Sequence, residues 1–584
     1  MLVFLSLLVF AYAQDNQANL SVNTTQGVVI GSRATDGNYY TFYGLHYGGN
    51  TAGENRFKAP TPPPSYPGEY YAIDNKVICA QPSPRGLIGV EDCLVLNVFT
   101  QNVTGNRPVI VWLEGEEYTT TRQELYSFNK LVEQDVVLVS INYRLSIFGF
   151  LCLGVPDAPG NAGIKDAIQA LKWIQQNIAG FGGDPNNVVI LAQGSGAAMA
   201  ELITLSPLSQ NLVHKVIAIS GSALSPWAVA YEPVKYAKSL GEKLSYTDKS
   251  NADLAKLLAS TDLSILTPAL NDFEFYNNTP LFAPCVEQSS LGEERVLTDS
   301  PINLIRNGNY NDVPYIAVFV DREGTLRAEQ AAVKDWLGKM DKNFTDFIQV
   351  DLKFESENNR SAEAQKIRDF YFAQKVIAMD TIEDFLDYQG DTLVTVSVIR
   401  GVAERAKTSK SSVRLMEFAY RGTRNSDWSY PQIPLKGARH GSLINYLFDF
   451  DLRPSDAAVQ DAIIRRLVAF SNEGENPSSN IYFLKYVIHF YRDPNPTNFV
   501  NPGIQWNTYT PESTIALRIS GDDEIIAGRS FQEEARVNIH QQKMDFWNSM
   551  YQKYYNPPQS TSSAGRLLCL SLVLTLSQFL IKLL

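Results

Sequence analysis

The chain has 584 residues, 45% of them apolar and 19% charged. This globular composition excludes a disordered, collagen-like or coiled-coil protein. Fifty Lys and Arg against 62 Asp and Glu leave a net charge of −12 with no basic block, which argues against a nucleic-acid partner.

Residues 1–13 (MLVFLSLLVFAYA) are apolar and end in a small-residue cleavage pattern. They are expected to be a signal peptide cut before Gln14. Entry into the secretory pathway predicts glycans at six Asn-x-Ser/Thr sequons: Asn19, Asn23, Asn102, Asn277, Asn343 and Asn359. It also predicts oxidised cysteines. Cys79 and Cys93 flank a short polar loop and are the best disulfide candidates. Cys152 and Cys285 sit in apolar or Pro-flanked runs and are expected to be buried free thiols.

Strand-like and helix-like segments alternate after that. Continuous β-rich apolar runs at Pro108–Leu113 and Val136–Tyr143 predict strands buried on both faces. Ile164, Ile168, Leu171, Ile174 and Ile178 recur at helical spacing over 164–178. Asn187–Leu191 reads as a strand and Ala197–Leu205 as a helix. Lys215–Ser220, Pro314–Val320 and Val413–Tyr420 are further strands. This rhythm predicts an α/β fold with a mainly parallel sheet covered by helices. No linker divides residues 14–556, so they are expected to form one domain. Small residues at 557–566 precede an apolar tail at 567–584, the pattern of a GPI-attachment signal, with a membrane-spanning tail as the alternative.

One segment carries more chemistry than the rest. Gly182-Gly-Asp-Pro-Asn-Asn-Val-Val-Ile-Leu-Ala-Gln-Gly-Ser-Gly-Ala-Ala198 is a strand, a tight turn and a helix. A hydrolase nucleophile elbow has this form. With Phe42-Tyr-Gly-Leu-His46, Arg56-Phe-Lys-Ala-Pro60, Glu91-Asp-Cys-Leu-Val-Leu-Asn-Val98, Asn142-Tyr-Arg-Leu-Ser-Ile-Phe-Gly-Phe-Leu151, Ala158-Pro-Gly-Asn161 and Ser220-Gly-Ser-Ala-Leu-Ser-Pro-Trp227, the chain resembles the type B carboxylesterase and cholinesterase family. The resemblance implies a single α/β-hydrolase domain, a Cys79–Cys93 disulfide and a structural Arg56–Glu91 ion pair. It leaves Trp227 as either core or pocket wall.

The family's chemistry needs a serine nucleophile, a histidine base, an acid that orients it, and backbone N–H groups for the oxyanion. The serine position of the Gly-Glu-Ser-Ala-Gly pattern falls on Gly194, so the nucleophile is missing. Ser195 lies one place later and reads as an ordinary turn or N-cap serine. Where the family has His-Gly-Gly-Gly, this chain has Glu114-Gly115-Glu116-Glu117. Carboxylates there oppose an oxyanion, and a solvated acidic loop is expected in preference to a metal site. The acid and base positions are retained as Glu323 and His440, expected to form a buried hydrogen bond. The remaining histidines, His46, His214, His489 and His540, show no ligand spacing, and no cofactor is expected.

These features predict an inactive carboxylesterase-like glycoprotein on the extracellular face of the membrane, acting in adhesion or receptor binding to another protein. Two alternatives stay open. One is a protein that binds a small apolar ligand or ester without cleaving it. The other is a residual hydrolase that uses Ser195 with His440. Helical stretches in 530–555 are candidates for a homodimer contact.

Overall fold

A computed structural model describes residues 19–560 except 84–85, 123–125, 271–272, 292–294, 423–428, 434–436, 449–453, 474–505 and 523–530. The expected signal peptide, the apolar tail, Cys569 and His489 lie outside the described residues. Among those described, no helix is long and apolar enough to cross a membrane.

Among the described residues thirteen strands form one large sheet, twelve of them in line and the short Tyr70–Tyr71 strand beside the second. The twelve are β1 (Leu20–Thr24), β2 (Gly27–Arg33), β3 (Tyr40–His46), β4 (Val95–Thr100), β5 (Arg107–Gly115), β6 (Val137–Ile141), β7 (Gly183–Gly194), β8 (Lys215–Ile219), β9 (Tyr315–Val320), β10 (Val413–Arg421), β11 (Ile515–Asp522) and β12 (Gln532–Val537). Their spatial order is β1-β2-β3-β4-β6-β5-β7-β8-β9-β10-β11-β12. The run from β6 to β11 is parallel throughout. Antiparallel strands flank it at both ends. The helices used below are α1 (Ala162–Asn177), α2 (Ser195–Leu205), α3 (Pro233–Lys243), α4 (Glu357–Phe372), α5 (Ser442–Phe448) and α6 (Gln541–Tyr554).

The continuous apolar strands follow from burial on both faces. Along β5, Val109, Val111 and Leu113 enter one core while Ile110 and Trp112 enter the other. Tyr315, Ala317 and Phe319 of β9 alternate with Ile316, Val318 and Val320 in the same way. Successive side chains on a strand point to opposite faces, so a central strand must be apolar at every position. On α1, Ile164, Ile168, Leu171 and Ile174 are buried, as their spacing predicts.

Three cross-links tie the loops down. Cys79 and Cys93 form the expected disulfide. Arg56 grips Glu91 with two bonds of 2.6 and 2.9 Å and also donates to the Leu258 and Thr261 carbonyls. Cys152 and Cys285, expected to be free thiols, are bonded to each other across 133 residues of sequence. Their apolar surroundings misled the sequence reading. A buried environment suits a thiol and a disulfide equally, and only the fold places the two sulfurs together.

Candidate active site

The central strand β7 runs straight into α2, and the turn between them falls on Gly194. Its backbone stands at φ 60°, ψ −125°. This region costs a side-chain-bearing residue strain and costs glycine little. Space at this point is as restricted as conformation. Strand β5 continues far enough for Gly115 to pair with Gly194. A Cβ on Gly194 would stand 2.5 Å from the Gly115 carbonyl oxygen and 3.6 Å from Glu116 Oε2. The turn is therefore sharp, and Gly194 presents no side chain beneath the Gly115 carbonyl.

Ser195 does not supply that side chain. It is the first residue of α2 rather than its cap, is 1% exposed, and its Oγ accepts the Tyr118 N–H at 2.8 Å. No hydrogen bond joins it to His440. Tyr118 is itself buried and donates its hydroxyl to the Ala228 carbonyl at 3.0 Å. The Glu116 N–H is spent on the Thr120 carbonyl at 2.9 Å. Two loop N–H groups next to the elbow thus have internal acceptors.

The expectation of a solvated acidic loop holds for Glu117, which is exposed, and in part for Glu116, but not for Glu114, which is buried. Each of its three carboxylates has a dedicated partner. Glu114 is 8% exposed and accepts the Tyr126 hydroxyl at 2.5 Å and the Arg122 N–H at 2.8 Å. Glu117 pairs with Arg327 at 2.5 Å, a contact spanning 210 residues. Partial desolvation against the Arg327 side pushes the Glu117 carboxyl up, but the Arg327 guanidinium outweighs it and holds the acid below its ordinary range. Glu116 reaches His440. The partners of Glu114 lie 8 and 12 residues on, but those of Glu116 and Glu117 lie 324 and 210 residues away. Arg327 lies four residues past Glu323 in the same turn, and that proximity was the only available signal.

Glu323 and His440 come together as expected. A short bridge between Arg322 and Arg439 brings the loop after β9 against the loop before α5. Glu323 accepts the Val320 N–H at 2.8 Å, and the His440 N–H donates to Thr325 Oγ1 at 2.8 Å. His440 Nδ1 lies 2.5 Å from Glu323 Oε2. Its Nε2 lies 3.2 Å from Glu116 Oε2 and 3.5 Å from Gln193 Nε2. The imidazole is thus held between two carboxylates, with its side chain only 7% exposed. Burial alone pushes its pKa down, but Glu116 and Glu323 outweigh burial and raise it to about 10. At neutral pH the ring is an imidazolium that donates from both nitrogens. A ring in that state has no lone pair with which to take a proton from an attacking hydroxyl. Among the described residues no group of three His, Cys, Asp or Glu is arranged to hold a metal.

On the far side of Glu117 lies a cavity of about 240 Å3 that neither Gly194 nor His440 lines. Trp227, Phe273, Phe282 and Trp336 line it, and the Glu117–Arg327 pair belongs to its wall. Trp227 serves both roles left open for it. It is 7% exposed, donates from Nε1 to the Leu393 carbonyl at 2.9 Å, and faces this cavity.

Comparison with known proteins agrees with this architecture. The chain is 29% identical over 503 residues to venom carboxylesterase-6 of Apis mellifera, covering 81% of this chain and 88% of that protein. It is 31% identical over 435 residues to esterase FE4 of Myzus persicae, covering 70% and 75%. It superposes on the crystal structure of juvenile hormone esterase from Manduca sexta, with OTFP covalently attached, at a TM-score of 0.77 and 22% identity. That match spans 91% of this chain and all of the other, and it identifies the α/β-hydrolase fold. The carboxylesterase family model matches residues 18–547, and the chain belongs to that family.

Proposed function

We propose that this carboxylesterase-family chain does not hydrolyse esters and acts as an extracellular binding protein in adhesion or receptor recognition. The observation that carries the first half is the exchange at the elbow. Gly194 offers no hydroxyl, and the Glu116 carboxylate holds the outer nitrogen of His440. Removing a nucleophile alone costs several orders of magnitude in rate. A carboxylate beside the elbow further opposes the negative charge that ester attack develops.

The second half is supported by the sequence: a secretory leader, an acidic net charge, sequons and an apolar terminal segment together suit a tethered surface protein. The curated relatives are named as esterases, so loss of hydrolysis sets this chain apart from them. A second reading draws on the 240 Å3 cavity, where aromatic faces sit beside Glu117, Glu274, Arg327 and Lys334, a mixture that suits a small ester held without turnover.

The test is hydrolysis of p-nitrophenyl acetate and butyrate by the secreted chain, beside a His440→Ala control. No turnover above the control is expected. Turnover that His440→Ala abolishes would overturn the proposal and direct attention to Ser195. Aggregation of cells displaying the chain, insensitive to apolar esters, separates adhesion from ligand binding. Thermal stabilisation by such esters would favour the cavity instead.

A further inference from the structure

The described part of the chain holds two sequons with one local geometry and a third with another. Asn277 Oδ1 accepts both the Thr279 N–H at 3.2 Å and the Thr279 hydroxyl at 2.7 Å. Asn102 binds Thr104 in the same way, at 3.0 and 3.1 Å. In both, the oxygen is occupied and the amide nitrogen makes no hydrogen bond among the described residues. Asn359 differs. It lies in the first turn of α4, where its Nδ2 donates to the Tyr554 hydroxyl of α6 at 3.4 Å and its Oδ1 is buried.

The surroundings of Asn277 distinguish it from Asn102. Its neighbours are anchored inward. Tyr276 packs against Trp336 and Phe347, with ring centroids 5.4 and 5.0 Å away. Asn278 is 3% exposed and donates to Gln349 at 3.2 Å. Asn277, between them, faces an open cleft of about 940 Å3. The start of α3, the segment around 348–357 and the C-terminal residues Asn556–Ser560 form its walls. Its lining mixes apolar faces, Tyr231 and Phe354, with charged and amide groups, Glu355, Arg360 and Gln559. A sugar presents the same mixture, an apolar C–H face and a rim of hydroxyls. The cleft is also within the size range of sites that enclose small molecules.

We propose that Asn277 carries an N-linked glycan whose first sugars lie in this cleft, while the folded, secreted chain carries none at Asn359, because a glycan there would displace Tyr554 and bar α6 from its seat. The co-substrate is a polyisoprenyl-pyrophosphate-linked oligosaccharide. The C1–O bond to the pyrophosphate breaks, polyisoprenyl pyrophosphate leaves with the electron pair, C1 bonds to Nδ2, and the amide gives up one proton. The proposal needs entry into the secretory pathway. It stands or falls separately from the question of hydrolysis.

The experiment uses the full chain secreted from eukaryotic cells. Sites are mapped by peptide mass after amidase release of glycans in 18O-water. The expected result is occupancy at Asn277 and none at Asn359. Release is then timed on native and on denatured protein. At Asn277 the native rate should be about tenfold slower, because the amidase must wait for the glycan to leave its seat. Native release at the exposed Asn102, where occupied, should match the denatured rate. An unoccupied Asn277, equal native and denatured rates at Asn277, or a glycan on Asn359 would each overturn the proposal. A Thr279→Ala chain should lose one glycan while Asn277 itself remains.

Discussion

The two walls of the site have diverged in opposite ways. On one side, Glu323 and His440 keep the residue types and the contact that the family's chemistry requires, 2.5 Å apart. On the other, the elbow and the loop from β5 are rebuilt: serine is Gly194, and glycines have become Glu116 and Glu117. The retained wall now serves the rebuilt one. His440 bridges two carboxylates and fastens the loop to the turn after β9. Glu117 fastens the same loop to Arg327 and Glu114 fastens it to Tyr126. On the function proposed above, this constellation serves as a set of cross-links, and its form says nothing by itself about turnover.

The comparison breaks most sharply at Glu323. Its side chain is fully buried and is one of two anions compensating the His440 cation. Glu323→Gln keeps the shape and removes the charge. Losing one partner of a buried ion pair costs about 3–5 kcal/mol. A lower urea midpoint with unchanged slope is the expected outcome. A midpoint within error of the parent would mean that Glu116 alone suffices to hold the ring.

Gly194→Ser tests the rebuilt wall. The substitution needs a left-handed backbone and places Cβ 2.5 Å from the Gly115 oxygen. Overpacking of this kind costs about 1–3 kcal/mol. The variant should melt below the parent and remain without esterase activity, because β5 must withdraw before a hydroxyl can meet His440. A Gly194→Ser chain that is more stable, or that turns over p-nitrophenyl esters, would show that the loop yields easily and that serine loss was the only lesion.

Much of this was legible in the sequence, for identifiable reasons. Central parallel strands must be apolar at every position, so β5, β6, β8, β9 and β10 appeared as unbroken runs. The elbow, Glu323 and His440 were fixed by short motifs whose spacing the fold requires. What stayed hidden depends on side chains meeting from far apart in the chain. The Cys152–Cys285 bond spans 133 residues and the His440–Glu116 contact 324. A run of glutamates after a strand reads as solvated until the cation or donor facing each one is known. Ser195 likewise looked like a cap because its acceptor role toward Tyr118 crosses 77 residues.

Glu116 offers the smallest and most specific test. It is about one-third exposed, so solvent screens its pairing with His440, and Glu116→Gln is expected to cost about 1 kcal/mol or less at neutral pH. The informative readout is pH. The folded pKa of His440, about 10, lies above its ordinary 6.5. Its contribution to stability is therefore complete below about pH 6.5 and disappears as pH rises through about 10. Removing Glu116 leaves burial opposed by one carboxylate instead of two, so that loss should move to lower pH. Melting temperatures of parent and Glu116→Gln should differ most at neutral pH and below, with the variant lower, and converge as pH rises through about 10. A His440→Gln background cancels the many tyrosines and lysines that also titrate at high pH. If Glu116→Gln shifts the curve equally in that background, the imidazolium is not what the carboxylate holds, and the two walls of the site are independent.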